Sequence, residues 1–246
     1  MAESQYGNPI HIPASGKISA LQRVPLRYKD EDEKYDEKWL QNLLFEYPES
    51  IPFSDLDQAF SGAIPICVEL GTPAGPLDVL YVTPQGKLVI LEAKLWRNPE
   101  ARRKVVGQIL DYAKELSKWS YEDLQREVAK ATGRKGNVLY QIVQSLHNDI
   151  DEAKFVDEVS KCLRTGRFML LIAGDGIREG VGAIAEFLER YGSLEFTFGL
   201  IEMAVYRFQD NDLIVQPRIL AKSMIYKRSV VVSEDLNIEV KEDAGE

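Results

Sequence analysis

Three charged side chains sit where an apolar sheet has no use for them. Between Leu77 and Leu95 the chain reads LDVLYVTPQGKLVILEAKL: two apolar runs, Leu77–Val82 and Lys87–Leu95, joined by Thr83-Pro84-Gln85-Gly86. Strand-like runs on either side of a Pro/Gly turn predict a β-hairpin. Val89-Ile90-Leu91 lead straight into Glu92, and Val79-Leu80 follow Asp78, so the strands are apolar on both faces and expected to be covered on both. Asp78, Glu92 and Lys94 interrupt those runs. Buried charges are costly unless they are paired or bind a metal. A surface hairpin with a Glu92–Lys94 ion pair and an exposed Asp78 is the alternative, and it leaves the two-sided apolar runs unexplained.

The rest of the chain is read around this hairpin. Residues 1–32, with Gly7, Pro9, Pro13, Gly16 and Pro25 and little periodicity, predict an extended arm, locally basic at Arg23, Arg27 and Lys29. In residues 33–47, Leu40, Leu43, Leu44 and Tyr47 recur at helical spacing and Pro48 ends the run. Glu37 falls at the edge of that stripe, a common place for a solvated first-turn carboxylate. Residues 48–60 predict a loop with a short helix, and Ile64–Leu70 a strand, so three strands follow in quick succession as an antiparallel meander. From Pro99 the period becomes helical, with Val105, Ile109, Ala113 and Leu116 on one face. Helical stretches follow within 121–165. Phe168–Ala173 is a fully apolar strand, 181–190 a helix, and Leu194–Phe208 with Leu213–Ile219 a closing hairpin. The expected organisation is an arm (1–32), a core (33–120), a helical segment (121–165), a β-α-β-β part completing the same domain (166–232) and an acidic mobile tail (233–246). The fold class is α/β, a mixed sheet flanked by helices.

In a strand alternate residues share a face, so Glu92 and Lys94 project together while Ala93 turns the other way. A hairpin partner brings Asp78 beside Glu92. Two carboxylates, with a backbone carbonyl such as that of Ala93, are hard oxygen donors suited to Mg²⁺ or Mn²⁺ with several waters retained. Such an ion can neutralise charge on a phosphodiester and acidify a bound water. Lys94 fits as a group that orients or deprotonates that water, or as a point charge on the phosphate.

These residues resemble the PD-(D/E)xK nuclease superfamily, with Leu77-Asp78, thirteen intervening residues and Glu92-Ala93-Lys94 as its motif. The position before the aspartate is Leu77, and the proline stands one place earlier at Pro76. Downstream, Gln108-Ile109-Leu110-Asp111-Tyr112 is similar to the Q-x-x-x-Y helix motif of the RecB-type and lambda-exonuclease-type branches. The resemblance spans residues 36–116. It implies a restriction-endonuclease-like fold and Mg²⁺-dependent (or Mn²⁺-dependent) hydrolysis of nucleic acid. Asp78 and Glu92 would be metal ligands, Lys94 the catalytic lysine, and Gln108 and Tyr112 neighbours of the metal that help position the substrate. It also calls for an acidic residue from the upstream helix or strand: Glu37 is the choice, with Glu46 and Glu69 as competitors. Lys104, on the edge of the same helix, and Arg97, Arg102 and Arg103 are candidate phosphate contacts, with Trp96 a candidate base-stacking residue.

Composition bounds the function. A net charge of −9 argues against coating nucleic acid and requires local contacts. Cys67 and Cys162, in apolar surroundings, read as core residues in a reducing compartment, and two Cys with two His make a zinc site a poor fit. There is no G-x-S-x-G elbow for a serine hydrolase. No run of about 18 apolar residues and no basic-then-apolar leader occur, so a cytoplasmic location away from membranes is expected. DNA is favoured over RNA as substrate. A homodimer is open, since many such nucleases pair to cut duplexes. The competing function is a catalytically silent nuclease-like domain that binds nucleic acid or protein.

Overall fold

The computed structural model describes residues 7–24, 35–95, 99–175, 196–209 and 212–222, with the side chains of 99–103 not described. Its centre is a seven-stranded mixed sheet. Three strands, β4 (Ile64–Thr72), β5 (Gly75–Val82) and β6 (Leu88–Leu95), form an antiparallel meander. Next to β6 the direction changes: β7 (Met169–Asp175) and β8 (Thr197–Arg207) run parallel to it, and β9 (Leu213–Lys222) returns antiparallel along β8. Residues 22 and 23, read from sequence as part of an extended arm, form strand β3 (Gln22–Arg23) of this sheet and pair with β8. Before it, β1 (Ile10–His11) and β2 (Ser19–Ala20) make a small separate ribbon.

Helices cover both faces. On one lie α1 (Glu37–Glu46) and the single turn α2 (Phe53–Leu56), packed through Leu40, Leu44 and Phe53 onto Val79, Tyr81, Val89, Leu91, Met169 and Leu171. On the other lie α3 (Pro99–Leu116), α4 (Tyr121–Thr132), α5 (Val138–Leu146) and α6 (Glu152–Thr165), over Leu80, Val82, Leu88, Ile90, Leu170 and Ile172. Alternate residues of β6 thus serve opposite cores, the physical meaning of its unbroken apolar run. The caps are local: Asp36 accepts the Trp39 N–H at 2.8 Å, Ser120 and Asp123 form a capping box, and Gly133 and Gly166 end α4 and α6 in the left-handed conformation. Cys67 and Cys162 are both buried and free. No helix among the described residues is long and apolar enough to cross a membrane. The expected helix at 181–190 and the acidic tail lie outside the described residues.

Arg23 ties β3 down. Its guanidinium bonds the carboxylates of Asp175, at the end of β7, and Glu202 on β8, and Arg218 of β9 reaches the other Glu202 oxygen at 3.3 Å. Both acids are almost wholly buried, so the pairing is what makes their ionised forms tolerable.

The turn between β5 and β6 sets the register of the hairpin. Thr83 N–H donates to the Lys87 carbonyl at 2.8 Å, Gly86 N–H returns to the Thr83 carbonyl at 2.9 Å, and Lys87 N–H meets Thr83 Oγ1 at 3.1 Å. Gly86 has φ of +73°, and a Cβ there would lie 2.9 Å from the backbone nitrogen of Val159 in α6. Left-handed backbone and backbone contact both exclude a side chain. Gly86→Ala is therefore expected to lower stability by about 2–4 kcal/mol, measured by urea denaturation. A loss below about 1 kcal/mol would show that the turn is not so constrained.

Candidate metal centre

The hairpin register carries the chemistry. Val79 pairs with Leu91, Leu80 with Ile90 and Val82 with Leu88. One further step along this ladder sets Asp78 across from Glu92. Asp78 Oδ2 accepts the Ala93 N–H at 2.7 Å, so the carboxylate of β5 is anchored on the backbone of the Glu-x-Lys segment. Glu92 is 4% exposed, and its Oε2 is buried with no hydrogen-bond partner. A buried carboxylate oxygen without a donor is costly in an apoprotein, and a cation would satisfy it.

Both carboxyls respond to this confinement. Asp78 is pushed up to about 6, chiefly by burial and further by the nearby Glu69 and Glu37, against the pull of the Ala93 N–H and of Lys94. Burial likewise drives Glu92 up to about 8, with Asp78 the next contributor and Lys94 opposing. The two titrate as a pair: in the metal-free protein near neutral pH they retain a proton.

Helix α1 closes one side. Glu37 Oε2 accepts from Lys94 Nζ at 2.9 Å, and its Oε1 accepts the Leu95 N–H at 3.1 Å. Lys94 and Glu37 are each about one-third exposed, 32% and 33%, so the pair forms the solvent-facing rim of the site. Glu37 thus pairs with Lys94 and the Leu95 N–H at the rim of the site. Of its competitors, Glu46 is exposed nine residues further along α1, about 13 Å by helical rise. Glu69 of β4 does approach: its Oε1 meets the Gln41 amide at 2.9 Å and Lys38 Nζ at 3.4 Å. Glu69 also has φ of +53°, a strained backbone for a residue with a side chain.

Helix α3 closes the other side through the Q-x-x-x-Y pair. Gln108 Nε2 donates to the Tyr112 hydroxyl at 2.6 Å, and that hydroxyl donates to the Pro76 carbonyl at 2.6 Å. Tyr112 is wholly buried, and its hydroxyl braces the start of β5 two residues before Asp78. Gln108 stays with it through that bond. Lys104 is exposed. Trp96 and Arg97 lie outside the described residues, as do the side chains of Arg102 and Arg103.

What is brought together is an anchored carboxylate, Asp78, a buried one, Glu92, whose Oε2 has no donor, the Ala93 backbone beside them and an ammonium at the rim. Among the described residues no group of three or more His, Cys, Asp or Glu is arranged to hold a metal. The donor set is two carboxylates and a carbonyl, which fits a hard dication that keeps most of its own waters. Gln41, on α1, escaped the reading from sequence, although a polar residue inside the Leu40–Leu44 apolar stripe was a usable signal. A recess of about 220 Å³ lined by His11, Leu21, Gln22, Arg207 and Phe208 lies at the N-terminal ribbon, away from these carboxylates. The chain matches no protein-family model, no curated protein and no solved structure.

The raised carboxyls make a stability prediction with a definite sign. A carboxyl whose pKa is higher folded than unfolded favours the fold when protonated, and that advantage disappears as pH rises toward the folded value. For Asp78 and Glu92 the window runs from their ordinary values, 3.8 and 4.5, up to about 6 and about 8. The metal-free protein should be less stable at pH 8 than at pH 5.5. Glu92→Gln should recover on the order of 2 kcal/mol at pH 8, or about 4–8 °C in Tm. Equal Tm values for the variant and the parent at pH 8, read by calorimetry in chelator, would show that Glu92 is not a buried acid under strain.

Proposed function

We propose that this protein is a Mg²⁺-dependent or Mn²⁺-dependent nuclease of the PD-(D/E)xK kind, with a restriction-endonuclease-like core, hydrolysing phosphodiester bonds in DNA. The observation that carries the reading is the buried Glu92 oxygen without a donor, set beside Asp78 in a hairpin that continues into Lys94. An ion-pair hairpin accounts for Lys94 and Glu37 but gives no reason to bury Glu92. Further support comes from the order of elements, a helix, a three-stranded meander, then a helix whose Gln108 and Tyr112 brace the first acidic strand.

Asp78, Glu92 and the Ala93 carbonyl would hold the ion. When bound, it supplies charge for the phosphate oxygens and a more acidic water. The Ala93 N–H keeps Asp78 Oδ2 fixed, and Oδ1, which meets the Gln41 amide at 3.4 Å, would be the oxygen of that carboxylate turned toward the cation. Lys94 lies on the solvent side, within reach of an incoming phosphodiester once it exchanges Glu37 for the phosphate. Glu37 then retains the Leu95 N–H and keeps the end of β6 in place. Gln108 and Tyr112 hold the β5 backbone so that the Asp78 side chain does not swing away.

Purified protein should cleave some member of a panel of single-strand, duplex and branched DNA with Mg²⁺ or Mn²⁺ and not with EDTA. Asp78→Ala and Lys94→Ala should each lower the rate by at least about a hundredfold. Metal-dependent cutting that persists in both variants would place the active centre elsewhere. Absence of cleavage together with absence of Mn²⁺ binding would leave the domain as a binding module.

A further inference from the structure

Helix α1 delivers a second polar side chain to the same place as Glu37. Gln41 lies four residues on, one turn along the same face, and is only 3% exposed. Its amide nitrogen donates to the Asp78 carbonyl at 2.9 Å and to Glu69 Oε1 at 2.9 Å, and approaches Asp78 Oδ1 at 3.4 Å. Its amide oxygen accepts from Lys38 Nζ at 2.6 Å. Every neighbour of the nitrogen is an acceptor and the neighbour of the oxygen is a donor, so the orientation of the amide is settled by its surroundings. A leucine would fill this position between Leu40 and Leu44 at less desolvation cost. The Asp78 carbonyl gives the fold a reason for a donor here, but it does not call for the further contacts with Glu69 and Asp78 Oδ1.

The site does. Asp78 is held from the β6 side by the Ala93 N–H on Oδ2 and from the α1 side by Gln41, at its backbone and near Oδ1. A neutral amide orients a carboxylate without cancelling the negative charge that attracts a cation, whereas a lysine or arginine in its place would compete with the ion. Lys38 donates to the far end of the amide and polarises it, strengthening its N–H donors.

We propose that Gln41 is a positioning residue for the metal site, holding Asp78 in its ligating orientation, with Lys38 polarising its amide. This rests on the metal-dependent reading above, and the test separates the two. Mn²⁺ alone is titrated calorimetrically into the full chain, into Gln41→Met and into Lys38→Met, with near-UV circular dichroism confirming the fold. Gln41→Met should weaken Mn²⁺ binding about 10–100-fold, and Lys38→Met about two- to fivefold. In cleavage assays the Gln41→Met defect should lie in the Mn²⁺ midpoint: KM for DNA stays near that of the parent, and saturating Mn²⁺ restores turnover.

Parental Mn²⁺ affinity in both variants, with the parent binding normally, overturns the assignment of Gln41 and leaves the metal site standing. So does a turnover that stays low at saturating Mn²⁺, because a group that only orients a ligand is bypassed by excess metal. A parent that does not bind Mn²⁺ overturns both readings. Should Gln41→Met fail to fold, Lys38→Met decides, since the Lys38 side chain is 55% exposed and its loss does not threaten the core.

Discussion

A carboxylate held inside a sheet with one oxygen lacking any donor is the constraint around which this molecule is arranged. Glu92 sits in β6 beyond Val89, Ile90 and Leu91, all wholly buried, so its charge can be neither solvated nor moved aside without undoing the two cores that share the strand. The consequence is a pair of acids whose burial raises both carboxyls, to about 6 and about 8. Apolar strands supply rigidity, and rigidity is what keeps Asp78 and Glu92 close despite their repulsion. The same apolar surroundings would strengthen any attraction the pair exerts on a cation.

Helix α1 converts that rigidity into geometry. It touches the hairpin at three heights: Glu37 on the Leu95 N–H, Gln41 on the Asp78 carbonyl, and the Leu44 carbonyl accepting from the buried Tyr81 hydroxyl at 2.7 Å. The first and last lie on different strands, β6 and β5, so one helix pins both arms of the hairpin. Across the sheet, Tyr112 of α3 secures the Pro76 carbonyl. The acidic strand is thus clamped from both faces by side chains whose bonds go to backbone atoms. In the ion-pair network Arg23–Asp175–Glu202 the bonds go to the carboxylates instead.

Legibility in the sequence followed the range of the interaction. The hairpin is local: its strands, its Gly86 turn and the shared face of Glu92 and Lys94 all follow from period-two patterning within twenty residues. The α/β class with a mixed, helix-flanked sheet was legible for the same reason. Pairings across long separations were not. That β7 lies parallel to β6, with Glu92 opposite Ile172, is a pairing across the whole helical segment between them, which no local pattern encodes. Glu37 could be nominated as an acid on the correct helix, but its meeting with Lys94, fifty-seven residues away, could not. Tyr112 shows the limit of a motif: spacing places it on one stripe with Gln108 and says nothing of whether that stripe meets solvent or the sheet. Glu69 was named as a competitor, but its left-handed backbone in a strand was not legible, having no compositional marker when the residue is not glycine.

The position of the site within the sheet follows from its topology. Up to Leu91 and Leu171 the parallel strands β6 and β7 carry apolar side chains; near their C-terminal ends come Glu92 and Lys94, then Asp175, and Glu202 of β8 lies level with them, in register with Gly174. Parallel strands present their final residues on one edge, and at β6 the sheet also changes from antiparallel to parallel pairing. A helix can cover the middle of such a sheet but not the end where neighbouring connections diverge, so polar groups gather there. At β7 and β8 the gathered acids are neutralised by Arg23 and Arg218. At β6 the strand carries Lys94, and Glu37 holds it at the rim. Among the described residues no arginine or lysine is bonded to Asp78 or Glu92, so these buried acids lack the pairing that Asp175 and Glu202 have, and a dication would answer that lack.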